Sequence, residues 1–86
     1  MATVFIPPLL RELTGGQNKV SVPGESVRAV IAELDLRFPG IAGRLCAEGR
    51  IRPGMSVVVD GALSTNRHAP VGVTSEVFLL QRIKGG

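Results

Sequence analysis

Residues 26–40 read SVRAVIAELDLRFPG, a stretch with the start signal, apolar spacing and stop signal of one helix. Ser26 stands where a side-chain oxygen can accept a hydrogen bond from the first turn of a helix, and Pro39-Gly40 stops the helix. Apolar side chains recur between these signals at the spacing of one helix face: Val27, Val30, Ile31, Leu34 and Phe38. The stretch therefore predicts one amphipathic helix whose apolar stripe packs on the rest of the chain.

Two short alternating segments precede this helix. In residues 2–6, Ala2, Val4 and Ile6 share one face, and Pro7-Pro8 then prevents further pairing within a sheet. Residues 19–22 alternate again and end at a Pro-Gly turn, while the segment between the two contains one possible helical turn over 9–13 and a Thr-Gly-Gly turn signal. The pattern predicts a β-hairpin with an elaborated loop.

The chain after the helix predicts two more strands. Residues 41–46 are compatible with a short helix and residues 49–54 read as a loop. A β-branched run over 55–59 is closed by an Asp-Gly turn, and after an irregular stretch the last strand runs over 76–82. The order strand, strand, helix, strand, strand predicts an α+β roll in which one main helix covers one face of a mixed sheet.

Length and composition limit what this fold can be. Eighty-six residues form one domain, because two cores could not each bury enough apolar surface. Apolar residues are 44% of the chain but aromatic residues only 3%, so we expect a core of Val, Ile and Leu. No apolar run approaches the roughly 20 residues that a membrane-spanning helix needs, and no signal peptide is evident, so we expect a cytoplasmic protein that does not bind membranes.

The sequence offers few groups for catalysis or metal binding. A single cysteine, Cys46, cannot form an internal disulfide, and a single histidine, His68, cannot form a histidine-pair metal site. No paired carboxylate motif and no phosphate-binding glycine loop occurs. We therefore expect no metal, no bound cofactor and no catalytic side chain, and we interpret Cys46 as a small buried apolar residue.

The net charge of +3 is unevenly distributed. Residues 1–42 contain four basic and four acidic side chains, whereas residues 43–86 contain six basic and three acidic ones. This excess favours an acidic partner surface or nucleic acid, although a solvated surface of mixed charge would look the same. An RNA-binding module would normally also have aromatic residues that stack on bases, and these are lacking, so we expect no nucleic acid partner.

Taken together, these segments resemble the MoaD/ThiS group of ubiquitin-like sulfur carriers. The resemblance is carried by residues 4–7 with 10–16, by Val57-Val58-Val59-Asp60-Gly61 and by the terminal Gly85-Gly86. It implies a β-grasp fold over residues 1–82 and a flexible tail over residues 83–86. The segments 10–11, 14–17 and 40–41 look most like the carriers that serve a thiocarboxylate-dependent cysteine synthase.

Two features depart from that group. The turn before the last strand is Val73-Thr74-Ser75-Glu76, where carriers commonly have Gly-Asp-Glu or Gly-Asp-Ser. The approach to the end is Gln81-Arg82-Ile83-Lys84, and the tail is similar to the Arg-Leu-Arg-Gly-Gly ending of ubiquitin. A ubiquitin-like modifier that is conjugated to lysines through Gly86 therefore stays open as the alternative function.

For a sulfur carrier, the resemblance implies that the working group is the C-terminal carboxylate of Gly86. An E1-like enzyme would use ATP to convert it into an acyl adenylate and then a thiocarboxylate, and a sulfur-acceptor synthase would take the sulfur for cysteine, molybdopterin, thiazole or a related product. Gly85 and Gly86 lack Cβ atoms, so they suit a narrow channel to the nucleotide. The chain itself would bind no ATP.

Two further sets of residues are candidates for partner recognition. In the tail, Arg82 and Lys84 can pair with acidic groups while Ile83 fills an apolar notch. On the last strand, alternation places Val77 and Leu79 toward the helix. Four residues of the opposite sheet face form the predicted docking face: Phe5, Val58, Phe78 and Leu80. The alternative is that residues 9–13 or 62–74 cover this face.

Overall fold

A computed structural model of the chain describes residues 1–64 and 66–81. Within those residues the chain forms strands, two α-helices and one 3₁₀ turn over Pro8–Leu10. The elements in chain order are β1 (Ala2–Phe5), β2 (Lys19–Val22), α1 (Val27–Arg37), α2 (Ile41–Leu45), β3 (Cys46–Ala47), β4 (Arg50–Ile51), β5 (Met55–Val59), β6 (Ala62–Ser64) and β7 (Glu76–Gln81).

The main sheet has five strands in the order β2-β1-β7-β5-β6. The first and last strands, β1 and β7, pair in parallel at its centre, with Val4 opposite Val77, and the other neighbours are antiparallel. This central parallel pair makes the sheet mixed. Parallel strands need a crossover connection, and α1 lies within the chain that connects β1 to β7. The predicted α+β architecture, a mixed sheet packed on one main helix, is confirmed.

Helix α1 forms as the sequence predicts. The Ser26 side chain accepts a hydrogen bond of 3.1 Å from the Ala29 N–H, which satisfies one of the free donors of the first turn. The four apolar residues of the predicted stripe from Val27 to Leu34 are buried, and Phe38 packs half-buried against them just beyond the last helical residue. The helix ends at Arg37, because the following Pro39-Gly40 cannot continue it.

The core lies between α1 and the inner face of the sheet. Its strand residues alternate inward as predicted, and its aliphatic composition follows from the absence of Trp and Tyr. The buried apolar residues are Ala2, Val4, Ile6, Leu10, Val20, Val22, Val27, Val30, Ile31, Leu34, Ile41, Leu45, Val57, Val59, Val71, Val77 and Leu79. Helix α2 closes one end of this core with Ile41 and Leu45, both 0% exposed.

Two segments expected to be irregular contain strands. Residues 62–64 form β6, which pairs with β5 so that Leu63 lies opposite Val58. The segment expected to be a loop over 49–54 contributes β4, which pairs with β3 in a small separate hairpin. Both strands have only two or three residues, too few for an alternating pattern, so their pairing comes from tertiary context rather than from a local signal.

Candidate functional site

The outer face of the sheet, opposite the helix, presents a cluster of apolar side chains. The rings of Phe5 and Phe78 are stacked, with centroids 4.3 Å apart and planes inclined by 5°. They are partners in the register of β1 and β7, and Phe78 also lies opposite Val58 of β5. Leu80 follows on the same face of β7 because successive strand residues alternate sides. The structure thus brings together the four predicted docking residues, which we call the outer-face patch.

This patch is open to solvent. The side chains of Phe78 and Leu80 are 37% and 48% exposed, while Phe5 and Val58 are half-buried between their strand neighbours. Leu63, which belongs to the segment 62–74 named above as an alternative cover, lies in β6 opposite Val58 and is 65% exposed. It extends the patch instead of covering it. Docking through this patch remains a prediction.

A groove of about 530 Å³ adjoins the patch at the end of β7. Its apolar wall includes Phe5, Pro8 and Leu80, and it reaches Gln81, the last described residue of the strand. Arg11 and Lys19 also line it, and no carboxylate occurs among the lining residues within 1–64 and 66–81. The Arg11 side chain is held by a hydrogen bond of 3.2 Å that its Nε donates to the Ile6 carbonyl. The groove therefore combines apolar contact with two cations.

Strand β7 is held firmly along its described length. It pairs with β1 on one side and β5 on the other, and its inward residues Val77 and Leu79 are each 1% exposed. Gln81 pairs with Met55. The point from which the chain continues toward Gly86 is thus fixed by the sheet.

The start of β7 is fixed by a hydrogen-bond cluster that the sequence pattern did not reveal. The Ser75 hydroxyl donates to Asp60 Oδ2 at 2.6 Å, and the Glu76 N–H donates to Asp60 Oδ1 at 2.9 Å. The Gly72 N–H donates to the Ser75 hydroxyl oxygen at 2.8 Å. Asp60 is predictable as a turn residue, but its partners lie 15 and 16 positions away, and no local signal pairs them.

The same cluster shifts the acidity of Asp60. The Ser75 hydroxyl, and to a lesser extent the Glu76 N–H, stabilise the charged carboxylate and lower the pKa of Asp60 below its ordinary value of 3.8. Asp60 has a positive φ of 49°, as does the following Gly61 at 85°, so the turn between β5 and β6 aims the carboxylate at the start of β7. The turn over residues 73–76, whose sequence departs from that of the usual carriers, is thus stabilised by the Asp60 side chain of the turn between β5 and β6.

The predicted site residues of the tail lie outside the described residues. These are Arg82, Ile83, Lys84, Gly85 and Gly86, together with the predicted boundary between the domain and the tail after residue 82. Their roles stay predictions.

The single cysteine and the single histidine of the sequence lie on different elements, Cys46 at the start of β3 and His68 in a loop. Cys46 is half-buried and packs against the core, which agrees in part with its interpretation as a buried apolar residue. His68 is exposed in a loop, where its N–H donates to Asn66 Oδ1 at 2.8 Å. Residues 1–64 and 66–81 contain no group of three potential metal ligands. Among these residues, neither helix has the length and apolarity needed to cross a bilayer.

Comparison with known proteins gives relatives along the whole chain. Sulfur carrier protein CysO of Mycobacterium tuberculosis is 32% identical over 90 residues, which cover 98% of this chain and 97% of the relative. No protein-family model matches the sequence.

Solved structures agree. A chain in the crystal structure of the Amycolatopsis orientalis BexX/CysO complex superposes with a TM-score of 0.95 at 30% identity, and each chain is covered completely. The crystal structure of Mycobacterium tuberculosis CysO gives 0.90 at 29% identity, over 96% of this chain and 100% of that one. Small archaeal modifier protein 1 of Methanosarcina acetivorans gives 0.82 at 18% identity, over 99% and 95%, which is a likeness of fold alone.

CysO of Mycobacterium tuberculosis aligns with almost the entire chain, and the two crystal structures that contain CysO superpose on it at TM-scores of 0.90 and above. The chain belongs to the ubiquitin-like β-grasp family of sulfur carriers, which are carrier proteins and not catalysts.

Proposed function

We propose that this chain carries activated sulfur as a thiocarboxylate at its C-terminus. The observation that carries the proposal is the 32% identity, over 98% of the chain, to a protein named a sulfur carrier. The sequence also ends in the two glycines that such a carrier needs. We further propose that the protein works in the cytoplasm, where a partner enzyme binds the ATP and the carrier binds no cofactor of its own.

The chemistry begins at the Gly86 carboxylate, which is a poor acyl donor until one oxygen becomes part of a leaving group. A carboxylate oxygen attacks the α-phosphorus of ATP on an E1-like enzyme, and pyrophosphate leaves. Sulfide then adds to the acyl carbon and AMP departs, so that the C-terminus becomes a thiocarboxylate. Side chains at positions 85 or 86 would hinder this approach, because only glycine brings bare backbone to the nucleotide.

The role of the domain is to present this end from a fixed point. Gln81 is held in the sheet by its pairing with Met55. A segment of five residues, the number that follows Gln81, spans at most about 17 Å when fully extended. The partner enzyme must therefore come close to the end of β7. Arg82, Ile83 and Lys84 would then contact the entrance to its active site.

The outer-face patch would supply the affinity for that approach. Phe5 and Phe78 present a rigid aromatic surface, and Leu80 continues it toward the end of β7. Aromatic side chains at the centre of an interface commonly dominate the binding energy. One of the similar solved structures is that of a BexX/CysO complex, so a relative at 30% identity forms a complex with another protein. We propose that the patch docks onto the E1-like enzyme and then onto the sulfur-acceptor synthase.

The acceptor pathway, whether cysteine, molybdopterin, thiazole or a related product, is chosen by the synthase. The experiment that tests the carrier role follows the acyl group after thiolation. Thiolated protein is mixed with the acceptor synthase encoded beside its gene and with that enzyme's substrate. A carrier returns to the free carboxylate in step with the sulfur-containing product. Products in which Gly86 is joined to lysines by isopeptide bonds, without release of sulfur, would establish the modifier function instead.

A further inference from the structure

A second concave site lies away from the outer-face patch, where the loop over residues 66–68 meets the tip of the β3–β4 hairpin. The cleft has a volume of about 340 Å³. Its lining residues are Gly49, Arg50, Ile51, Asn66, Arg67 and His68. Two arginines and a histidine thus line one small cleft, and its described lining residues include no carboxylate. None of these described residues also lines the groove at the end of β7.

The backbone of the loop is held in place by hydrogen bonds. The Arg67 carbonyl accepts a bond of 2.7 Å from the Arg28 N–H at the start of α1. The Ala69 N–H donates to the Asn66 carbonyl at 3.1 Å, and Asn66 Oδ1 accepts from the His68 N–H at 2.8 Å. Arg67 therefore projects from an anchored position, and the cleft is a consequence of the fold and not of a chance meeting of surface side chains.

The Arg67 guanidinium has an unfilled hydrogen-bonding position. Its Nε is buried and has no hydrogen-bond partner among the described residues. Its Nη2 would lie 3.6 Å from a Cβ atom placed on Gly49, so the bare Gly49 backbone leaves space beside it. Nε and Nη2 form the edge with which arginine binds two oxygens of one oxyanion. A buried donor without an acceptor is unfavourable, so an anion at this edge would be stabilised.

The surrounding charges favour an anion as well. The Val27 and Arg28 N–H groups at the start of α1 are already bonded to the Ala69 and Arg67 carbonyls, so the positive charge of the cleft comes from its own side chains. Arg44 forms an ion pair with Glu12 at 3.6 Å. Among the described residues, neither Arg50 nor Arg67 forms an ion pair. Glu48 precedes Gly49 in the hairpin turn, but it is not among the residues that line the cleft.

We propose that this cleft binds a phosphate oxyanion, either the free ion or the terminal phosphate of a small metabolite. Arg67 turns its Nε–Nη2 edge into the cleft and holds two oxygens of the anion, and the exposed Arg50 and His68 close over it by rotating their side chains. A concave site of a few hundred cubic ångström suits a small ligand. The proposal does not rest on the carrier function, because the cleft and the outer-face patch have no residue in common.

The test is a titration of the full chain followed by amide chemical shifts in NMR spectra. Inorganic phosphate and ribose 5-phosphate are the two probes, and acetate and chloride at equal ionic strength are the comparisons. We expect saturable shifts at Gly49, Arg67 and His68 with both phosphates. Equal affinity for the two probes indicates the free ion, and tighter binding of ribose 5-phosphate indicates a phosphorylated metabolite.

Three variants sharpen the result. Arg67→Gln should weaken phosphate binding by about tenfold or more, since it removes a bidentate charged donor. Arg50→Gln changes an exposed residue and should weaken binding about threefold without affecting the fold, so it keeps the test valid if Arg67→Gln proves unstable. Arg44→Gln, an exposed arginine outside the cleft, is the matched control and should bind as the unaltered chain does.

Three results would overturn the proposal. One is a set of shifts that spreads over all exposed basic residues and follows ionic strength. Another is saturation of the same amides by acetate as readily as by phosphate, which would point to carboxylates of an acidic protein surface. The third is a phosphate affinity that is unchanged in both Arg50→Gln and Arg67→Gln when both variants are folded.

Discussion

The rings of Phe5 and Phe78 lie face to face, 4.3 Å between centroids, on the side of the sheet that faces away from the core. They join the first strand of the chain to the last, and Phe78 keeps 37% of its surface exposed. Such a pair contributes about 0.5–1.5 kcal/mol beyond the area that it buries. It also leaves a rigid apolar surface next to the strand that leads to the C-terminus, which is what a docking site requires.

The first prediction concerns this surface. Phe78→Asp should weaken binding to the E1-like enzyme by at least about 2 kcal/mol, because it places a charge at the centre of the apolar contact. Calorimetric titration measures the affinity, and circular dichroism checks the fold. The matched control is Leu36→Asp, which changes an apolar residue of α1 that is 76% exposed and remote from the patch. Equal loss of affinity in both variants would refute docking through the outer face.

A second prediction tests the helix stripe. Leu34 is 0% exposed at the centre of the core. Leu34→Ala should lower the free energy of unfolding by about 2–5 kcal/mol, because it removes buried methyl groups and leaves a cavity. Urea denaturation measures the change. A variant with the stability of the unaltered chain would show that α1 packs on the sheet through another face.

Two glycines provide a matched pair for the third prediction. A Cβ atom on Gly24 would lie 2.8 Å from Val30 Cγ2 and 2.9 Å from the Val30 nitrogen, where the chain enters α1. Gly24→Ala should therefore destabilise the domain by about 1–3 kcal/mol. Gly43 lies in α2 with open space around it, so Gly43→Ala should be neutral or stabilise by about 0.5–1 kcal/mol. Thermal denaturation of both variants checks this, and the reverse order would contradict the packing at Gly24.

The fourth prediction concerns pH. The pKa of Asp60 is lowered in the folded chain, so its charged form contributes stability above about the ordinary value of 3.8 and loses that contribution as the pH falls through the lower, folded value. Asp60→Asn removes the charge, and asparagine tolerates the positive φ of this position as aspartate does. Its stability should therefore fall less between about pH 5 and pH 2 than that of the unaltered chain.

Urea denaturation at several pH values measures this difference. Glu25→Gln, which changes an exposed carboxyl group, is the control and should keep the full pH dependence. If Asp60→Asn loses stability toward acid as steeply as the unaltered chain, folding does not lower the pKa of Asp60.

Much of the fold follows from local pattern. Strict alternation in residues 2–6 and the 3.6-residue stripe of α1 each span enough positions to specify one buried face. The same alternation placed Phe78 and Leu80 outward and Val77 and Leu79 inward. These predictions are correct because the apolar residues that are buried on one side recur at regular spacing within a single segment.

The missed features depend on distant partners. Strand β6 has three residues, and its pairing is set by β5 across the Asp60 turn. The cluster of Asp60, Ser75 and Glu76 joins two turns that only the folded sheet brings together. The cleft at Arg67 likewise requires the β3–β4 hairpin, which has no alternating signal. For the C-terminus, the resemblance to known carriers supplied the chemistry, since Gly-Gly alone is compatible with several functions.

The thiocarboxylate mechanism is tested by the intact mass of the chain after incubation with ATP, sulfide and its E1-like enzyme. Exchange of one carboxylate oxygen for sulfur should add about 16 Da at the C-terminus, and deletion of Gly86 or Gly86→Val should abolish the gain while the domain stays folded. Cys46→Ser should gain the same mass as the unaltered chain. Thiolation of the truncated chain, or added sulfur that maps to Cys46, would contradict the thiocarboxylate mechanism.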